Sequence, residues 1–214
     1  MIKAEVNVIG TVTRNAVVRT DKNNNPYLAF AMNVNLTSTF DQVITPLTVF
    51  VSVPDGKQED LSLYTEGKRL VVNGSMDIHK KEDNLTFFLV AKHIATELPS
   101  ELDSISGTMT FRGHLKNDNV YEERTTKQGG KPFLRFSAYS AEKDGENFVS
   151  TWVNFIRFPD KDASLDTIKE PWMIAKAHVN IRGTLEIDVY KGKISINSRV
   201  LEISEYVKPE YNQQ

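Results

Sequence analysis

Asn25-Pro26-Tyr27-Leu28-Ala29-Phe30-Ala31-Met32 and Lys131-Pro132-Phe133-Leu134-Arg135-Phe136-Ser137-Ala138 read as one strand written twice. Each opens on Pro, sets an aromatic directly before a Leu-x-Phe pair, and follows a turn rich in Asn or Gly. The neighbours repeat as well. Val53-Pro54-Asp55 returns as Phe158-Pro159-Asp160, and Val72-Asn73-Gly74-Ser75-Met76 returns as Ile181-Arg182-Gly183-Thr184-Leu185. Ordered blocks with small drift in spacing predict two copies of a domain of about 100 residues, differing by loop insertions. The expected boundaries are residues 1–98 for the first copy, 99–104 for a linker, 105–205 for the second copy, and 206–214 for a frayed tail.

Within each copy the periodicity is that of strands. Ala4 to Val12 alternates, with Gly10 marking a bend where a long first strand curls. Strand two puts Leu28, Phe30, Met32 and Val34 on one face, and a third strand spans Ile44 to Val53. Lys57–Gly67 is the one helical stretch of this copy, followed by a hairpin from Arg69–Ile78 to Leu85–Ala95. The second copy repeats the order: Gly107–Leu115, Phe133–Tyr139, Phe148–Phe158, a helix over Asp162–Glu170 stopped by Pro171, and a hairpin across Tyr190-Lys191-Gly192. Five strands with a short helix between the third and fourth is the order of the OB-fold, a Greek-key barrel whose open face binds oligonucleotides or oligosaccharides. The expected fold class is therefore all-β, two tandem five-stranded barrels.

The outward face of the second copy carries the chemistry. With Leu134, Phe136 and Ala138 inward, Phe133, Arg135, Ser137 and Tyr139 face out. Trp152 and Phe158 share the parity opposite Val153 and Phe155, and Arg182, Thr184 and Tyr190 lie opposite the apolar stripe of strand four. Aromatic faces interleaved with guanidiniums suit unpaired bases, each of which offers a π surface. The plainer alternative is that Phe133, Tyr139 or Phe158 lies under a loop, and that Tyr190 covers a barrel end. Trp172 is expected to pack its helix on the barrel. Arg157 falls on the core parity, which implies either a bulge or a facing shifted by one residue.

Thr151-Trp152-Val153-Asn154-Phe155-Ile156-Arg157-Phe158 resembles strand three of the bacterial single-stranded DNA-binding proteins, with Trp and Phe six apart. Gly183-Thr184-Leu185 running to Tyr190, and Gly130-Lys131-Pro132-Phe133, are similar to that family's strands four and two. The resemblance implies stacking roles for Trp152, Phe158 and Tyr190, single-stranded DNA as partner with RNA also possible, and four barrels per assembly, hence a homodimer of this two-barrel chain. It extends neither to an acidic tail with an apolar tip nor, therefore, to recruitment of partners by that route.

The first copy departs from the pattern. Leu47 and Val53 are read where Trp152 and Phe158 stand, and Lys81 where Tyr190 stands. Leu47, Val49, Val51 and Val53 would then form an outward apolar strip. A register slip, a subunit or interdomain interface, and a face stacking bases on aliphatics all account for it, the interface being preferred. Tyr27, Phe40 at a loop tip, and Lys80 and Lys81 beside His79 are the residues of this copy suited to rings or phosphate.

Composition sets the outer limits. The 26 basic and 28 acidic residues leave a net charge of −2, so nucleic-acid binding has to come from local placement rather than bulk charge. There is no cysteine, which removes disulfides and thiolate metal sites. The start of the chain lacks the apolar run of a signal peptide, and no stretch approaches about 20 apolar residues, so a cytoplasmic protein with no membrane contact is expected. No phosphate loop, nucleophile motif or metal-ligand spacing occurs. Glu186 and Asp188 near Arg182 read as solvated charge. No cofactor, no metal and no catalysis are expected, and a protein-interaction module is the alternative function.

Overall fold

The computed structural model describes residues 1–81, 84–96 and 102–208. In strand β1 (Ile2–Thr20) every second residue from Ile2 to Val12 is buried, as the alternation requires. The strand runs well past Val12. It does so by curling: a side chain at Gly10 would put its Cβ 2.3 Å from the Asn33 carbonyl oxygen, and the register against β2 (Pro26–Thr37) shifts after Val12 and again after Arg14. One long strand can thus pair with β2 at one end and with β4 (Arg69–Lys81) at the other.

The remaining pairings close a barrel. β2 lies antiparallel to β3 (Ile44–Pro54), β3 parallel to β5 (Asn84–Ala95), and β5 antiparallel to β4. The circuit β1-β2-β3-β5-β4-β1 is that of the OB-fold. The second half repeats it with β6 (Ser104–Leu115), β8 (Pro132–Asp144), β9 (Asn147–Arg157), β10 (His178–Tyr190) and β11 (Lys193–Glu205). The addition is β7 (Tyr121–Thr125), which pairs with β8 where the far half of β1 pairs with β2 in the first barrel. Gly74 and Gly183, which repeat in the sequence, sit at the same bulge of each fourth strand. A Cβ on Gly74 would meet the Val90 carbonyl oxygen at 2.1 Å.

Each interior is apolar, with Leu28, Met32, Val49 and Leu70 in one barrel and Leu134, Val153, Phe155 and Val179 in the other fully out of water. The helices expected over Lys57–Gly67 and Asp162–Glu170 are shorter 3₁₀ turns, Gln58–Leu63 and Leu165–Ile168. Segments of this length cannot carry the nucleation cost of an α-helix alone. Ser164 caps the second turn by accepting a hydrogen bond from the Asp166 amide. Trp172 is half-buried against the core, as expected.

The expected apolar strip on the first barrel does not exist. Leu47, Val49 and Val51 point inward at 2%, 0% and 1% exposure, and Val53 packs half-buried on the same core. The cause is a register slip. Val153 pairs with Ile196 as Val49 pairs with Phe87, so Thr48, not Leu47, stands where Trp152 stands, and Pro54 where Phe158 stands. The second copy has one extra residue before its Pro-Asp, and a shift of one turns a strand inside out. Arg157 is neither bulged nor misfaced. Its pairing with Leu134 continues the β8–β9 register, and at the barrel end its guanidinium donates to the Ile168 carbonyl (2.9 Å) and to Glu170 (3.2 Å).

The barrels share one sheet. β1 pairs antiparallel with β6 from Ile2↔Phe111 to Ile9↔Ser104, and Glu5 faces Thr108 at the middle of a pseudo-twofold arrangement. Just before β6, Asp103 accepts the Asn35 amide (2.7 Å) and ion-pairs with Arg69 (2.7 Å), pinning the crossover to the first barrel. Of the expected linker, 99–101 lie outside the described residues, as do 209–214 of the expected tail. Tyr206, assigned to that tail from sequence, is held by its amide on the His178 carbonyl at 2.7 Å.

Candidate nucleic-acid interface

The alternation that buries Val153 and Phe155 turns Trp152 outward, and the indole is 50% exposed. Its register partner on β8 is Tyr139, whose ring centroid lies 5.0 Å away. One end of the first barrel approaches this ring. A groove of about 650 Å³ is lined by Trp152, Thr151 and Lys193 on one side and by Lys80 and Asn84 on the other. Lys80 therefore borders the same groove as the indole, while Lys81 is exposed one residue further on. His79 is fixed across the joint: its Nδ1 lies 2.7 Å from a Glu142 carboxylate oxygen, which can only accept, so Nδ1 carries the proton.

Further along the same wall Phe133 and Phe158 pair at 5.3 Å, with the Arg199 guanidinium 5.2 Å from the Phe158 centroid. Arg135 is exposed between these two ring groups and borders a small groove with Asn154 and Asp188. Phe40 and Tyr190, on different barrels in sequence, meet at 5.0 Å under Lys191, so the second-strand loop of one barrel touches the last hairpin of the other. Arg182 is not part of this wall. It lies on the outer face of the shared sheet, ion-paired to Glu202 at 2.9 Å.

On the first barrel the outward residues of β3 and β5 include Phe50 and Phe88, stacked at 5.6 Å and both well exposed. With Tyr27, Arg14 and Arg19 they border a groove of about 620 Å³. Sequence reading missed Phe50 because the slipped alignment turned it inward. It missed His114 and His178 because their neighbourhood is made by closure of the second barrel: they are register partners on β6 and β10, stacked at 4.4 Å. Burial, then His114, Arg112 and the N-terminal amine, hold the His178 imidazole below its usual range. Among the described residues no group of His, Asp or Glu is placed to hold a metal ion, and no helix is long and apolar enough to cross a membrane.

No family model matches the chain, and neither does any curated protein sequence. Among solved structures it is similar to the single-stranded DNA binding protein from Thermus aquaticus, at 15% identity over 99% of this chain and 96% of that one, with a TM-score of 0.45. It is also similar to the small single-stranded DNA-binding protein from Streptomyces coelicolor (16% identity, 47% of this chain and 95% of that one, TM-score 0.35). A third is the mitochondrial single-stranded DNA binding protein Rim1 from S. cerevisiae (16%, 48% and 96%, TM-score 0.36).

Proposed function

We propose that the chain binds single-stranded DNA without catalysis, stacking bases on the rings of the second barrel's outer wall and holding phosphates with the cations between them. The observation that carries this reading is Trp152. A large apolar ring half in water, beside Tyr139 and bordering one groove with Lys80 and Lys193, has no role in the core. Stacking on such a ring is worth about 1–3 kcal/mol per base and tolerates sequence. Phe133, Phe158 and Arg135 continue the wall, Phe40 and Tyr190 extend it to the joint, and Tyr27 belongs to the first barrel's own groove. Residues 1–98 and 105–205 act as the two units of one binder, and two chains assemble as a homodimer in the cytoplasm. The processes served are DNA replication, repair or recombination, where unpaired strands are exposed.

Titration with oligo-dT, the matching duplex and the RNA equivalent tests this. Tight, salt-sensitive binding of the single strand over the duplex is expected; equal or absent binding of all three refutes it. A second reading, a module for protein partners, is supported by the exposed Phe50–Phe88 pair. It predicts no binding of oligonucleotides of any kind.

A further inference from the structure

Trp152 is the first ring of a row that crosses five strands. Tyr139 stands beside it on β8, His114 beside Tyr139 on β6, His178 beside His114 on β10, and Tyr206 follows at the end of β11. Successive centroids are 5.0, 5.8, 4.4 and 4.3 Å apart. Arg112 closes the row, its guanidinium carbon 5.0 Å from the Tyr206 centroid. Four inter-strand spacings of ~4.8 Å make the row roughly 19 Å long.

The geometry within the row decides what it can hold. His114 lies between His178 (17°, 4.4 Å) and Tyr139 (30°, 5.8 Å), with a neighbouring ring on each side of its plane. The middle of the row is thus occupied by its own rings rather than open for a base to insert. An imidazole edge offers N–H, a phenol offers O–H, and Arg112 offers a guanidinium, and all of these donate. The N-terminal amine lies close by, donating to the Arg112 carbonyl (3.0 Å) and to the Ser140 hydroxyl. Of the nearby carboxylates, Glu202 pairs with Arg182 and Glu142 with His79.

From this we infer a second, base-independent arm of the binding path: the phosphodiester backbone of a single strand leaving Trp152 runs along the His114–His178–Tyr206 edge to Arg112. The inference rests on the proposed stacking at Trp152, since that ring sets where the strand enters.

The test uses the whole chain with Trp172→Phe, so that emission reports on Trp152, and two oligo-dT lengths of about 6 and about 16 nucleotides, both within the range of OB-fold site sizes. Arg112→Gln and His178→Gln are compared separately with the parent. Each is expected to weaken the longer oligonucleotide several-fold. Arg112→Gln, which removes a charge, also lowers the magnitude of its log K against log salt slope by about 0.7 for each phosphate no longer neutralised, whereas His178→Gln, which exchanges one neutral donor for another, leaves the slope unchanged. Affinity for the shorter one and its quench of Trp152 stay unchanged. Should the longer oligonucleotide keep its affinity and salt slope while Trp152 is still quenched, or should both lengths lose affinity equally, the backbone arm is wrong and the stacking face stands. If neither length quenches Trp152, the stacking face falls and the arm with it.

Discussion

Trp152→Ala separates a binding surface from a packing residue, because the structure bounds its cost on each side. The ring is 50% exposed, and its ring contact is with Tyr139, itself part-exposed on the outer wall. A Trp that removed its whole ~200 Å² from water would contribute about 5 kcal/mol at ~25 cal/mol per Å². Half of that, less what Ala retains, bounds the folding cost at about 2 kcal/mol, and the denatured chain's own burial lowers it further. The variant therefore stays folded. If bases stack on the indole, binding loses about 1–3 kcal/mol, which is roughly a factor of 5 to 150 in dissociation constant. Tyr139 survives beside the truncated side chain and can take up part of the stacking, so the lower half of that range is expected. Anisotropy of a labelled oligo-dT gives the affinity, and denaturant unfolding shows that the variant is intact. A folded Trp152→Ala protein that binds within twofold of the parent would refute the assignment of this wall as the stacking surface.

The Phe40–Tyr190 contact should couple the barrels: in a double-alanine cycle read by urea unfolding, about 0.5–1.5 kcal/mol of non-additivity is expected, and strict additivity would remove the coupling. Gly74→Ala pushes a Cβ into the Val90 carbonyl and should cost about 3 kcal/mol, seen as a lowered urea midpoint; an unchanged midpoint would mean that the bulge relaxes freely. His178 has a depressed imidazole pKa in the folded chain, so the unfolded chain takes up the proton first as pH falls. Stability contributed by neutral His178 is complete above the ordinary imidazole value and is lost as pH drops through and below it. Tm should thus fall on acidification, and less so in His178→Gln; an equal fall in both would place the effect elsewhere. Sedimentation of the free chain tests the homodimer, with a single-chain mass as the contrary result.

What could be read from the chain alone was whatever period two controls. Leu28, Phe30, Met32 and Val34 had to share a face, and so did Trp152 with Asn154, because a strand offers no other choice. The third strand of the first barrel failed for a reason equally local: a single extra residue before Pro159 slipped the alignment, and with it the face of Phe50. Arg157 looked anomalous because parity says which way a side chain leaves the strand, not whether the barrel has ended there and a turn's carbonyl is waiting. The His114–His178 stack was beyond reach of any pattern. It exists because β6 and β10 are made neighbours by barrel closure, and nothing in the intervening sequence records that pairing.

Glu5 facing Thr108 at the centre of the β1–β6 ladder has an evolutionary reading. Where two identical subunits meet on such an axis, any substitution is suffered twice, once by each partner, and neither half can specialise alone. Here the halves are tethered into one polypeptide, dilution cannot part them, and every change is felt on one side only. That freedom is visible in the result: an indole on one wall, a threonine at its counterpart on the other.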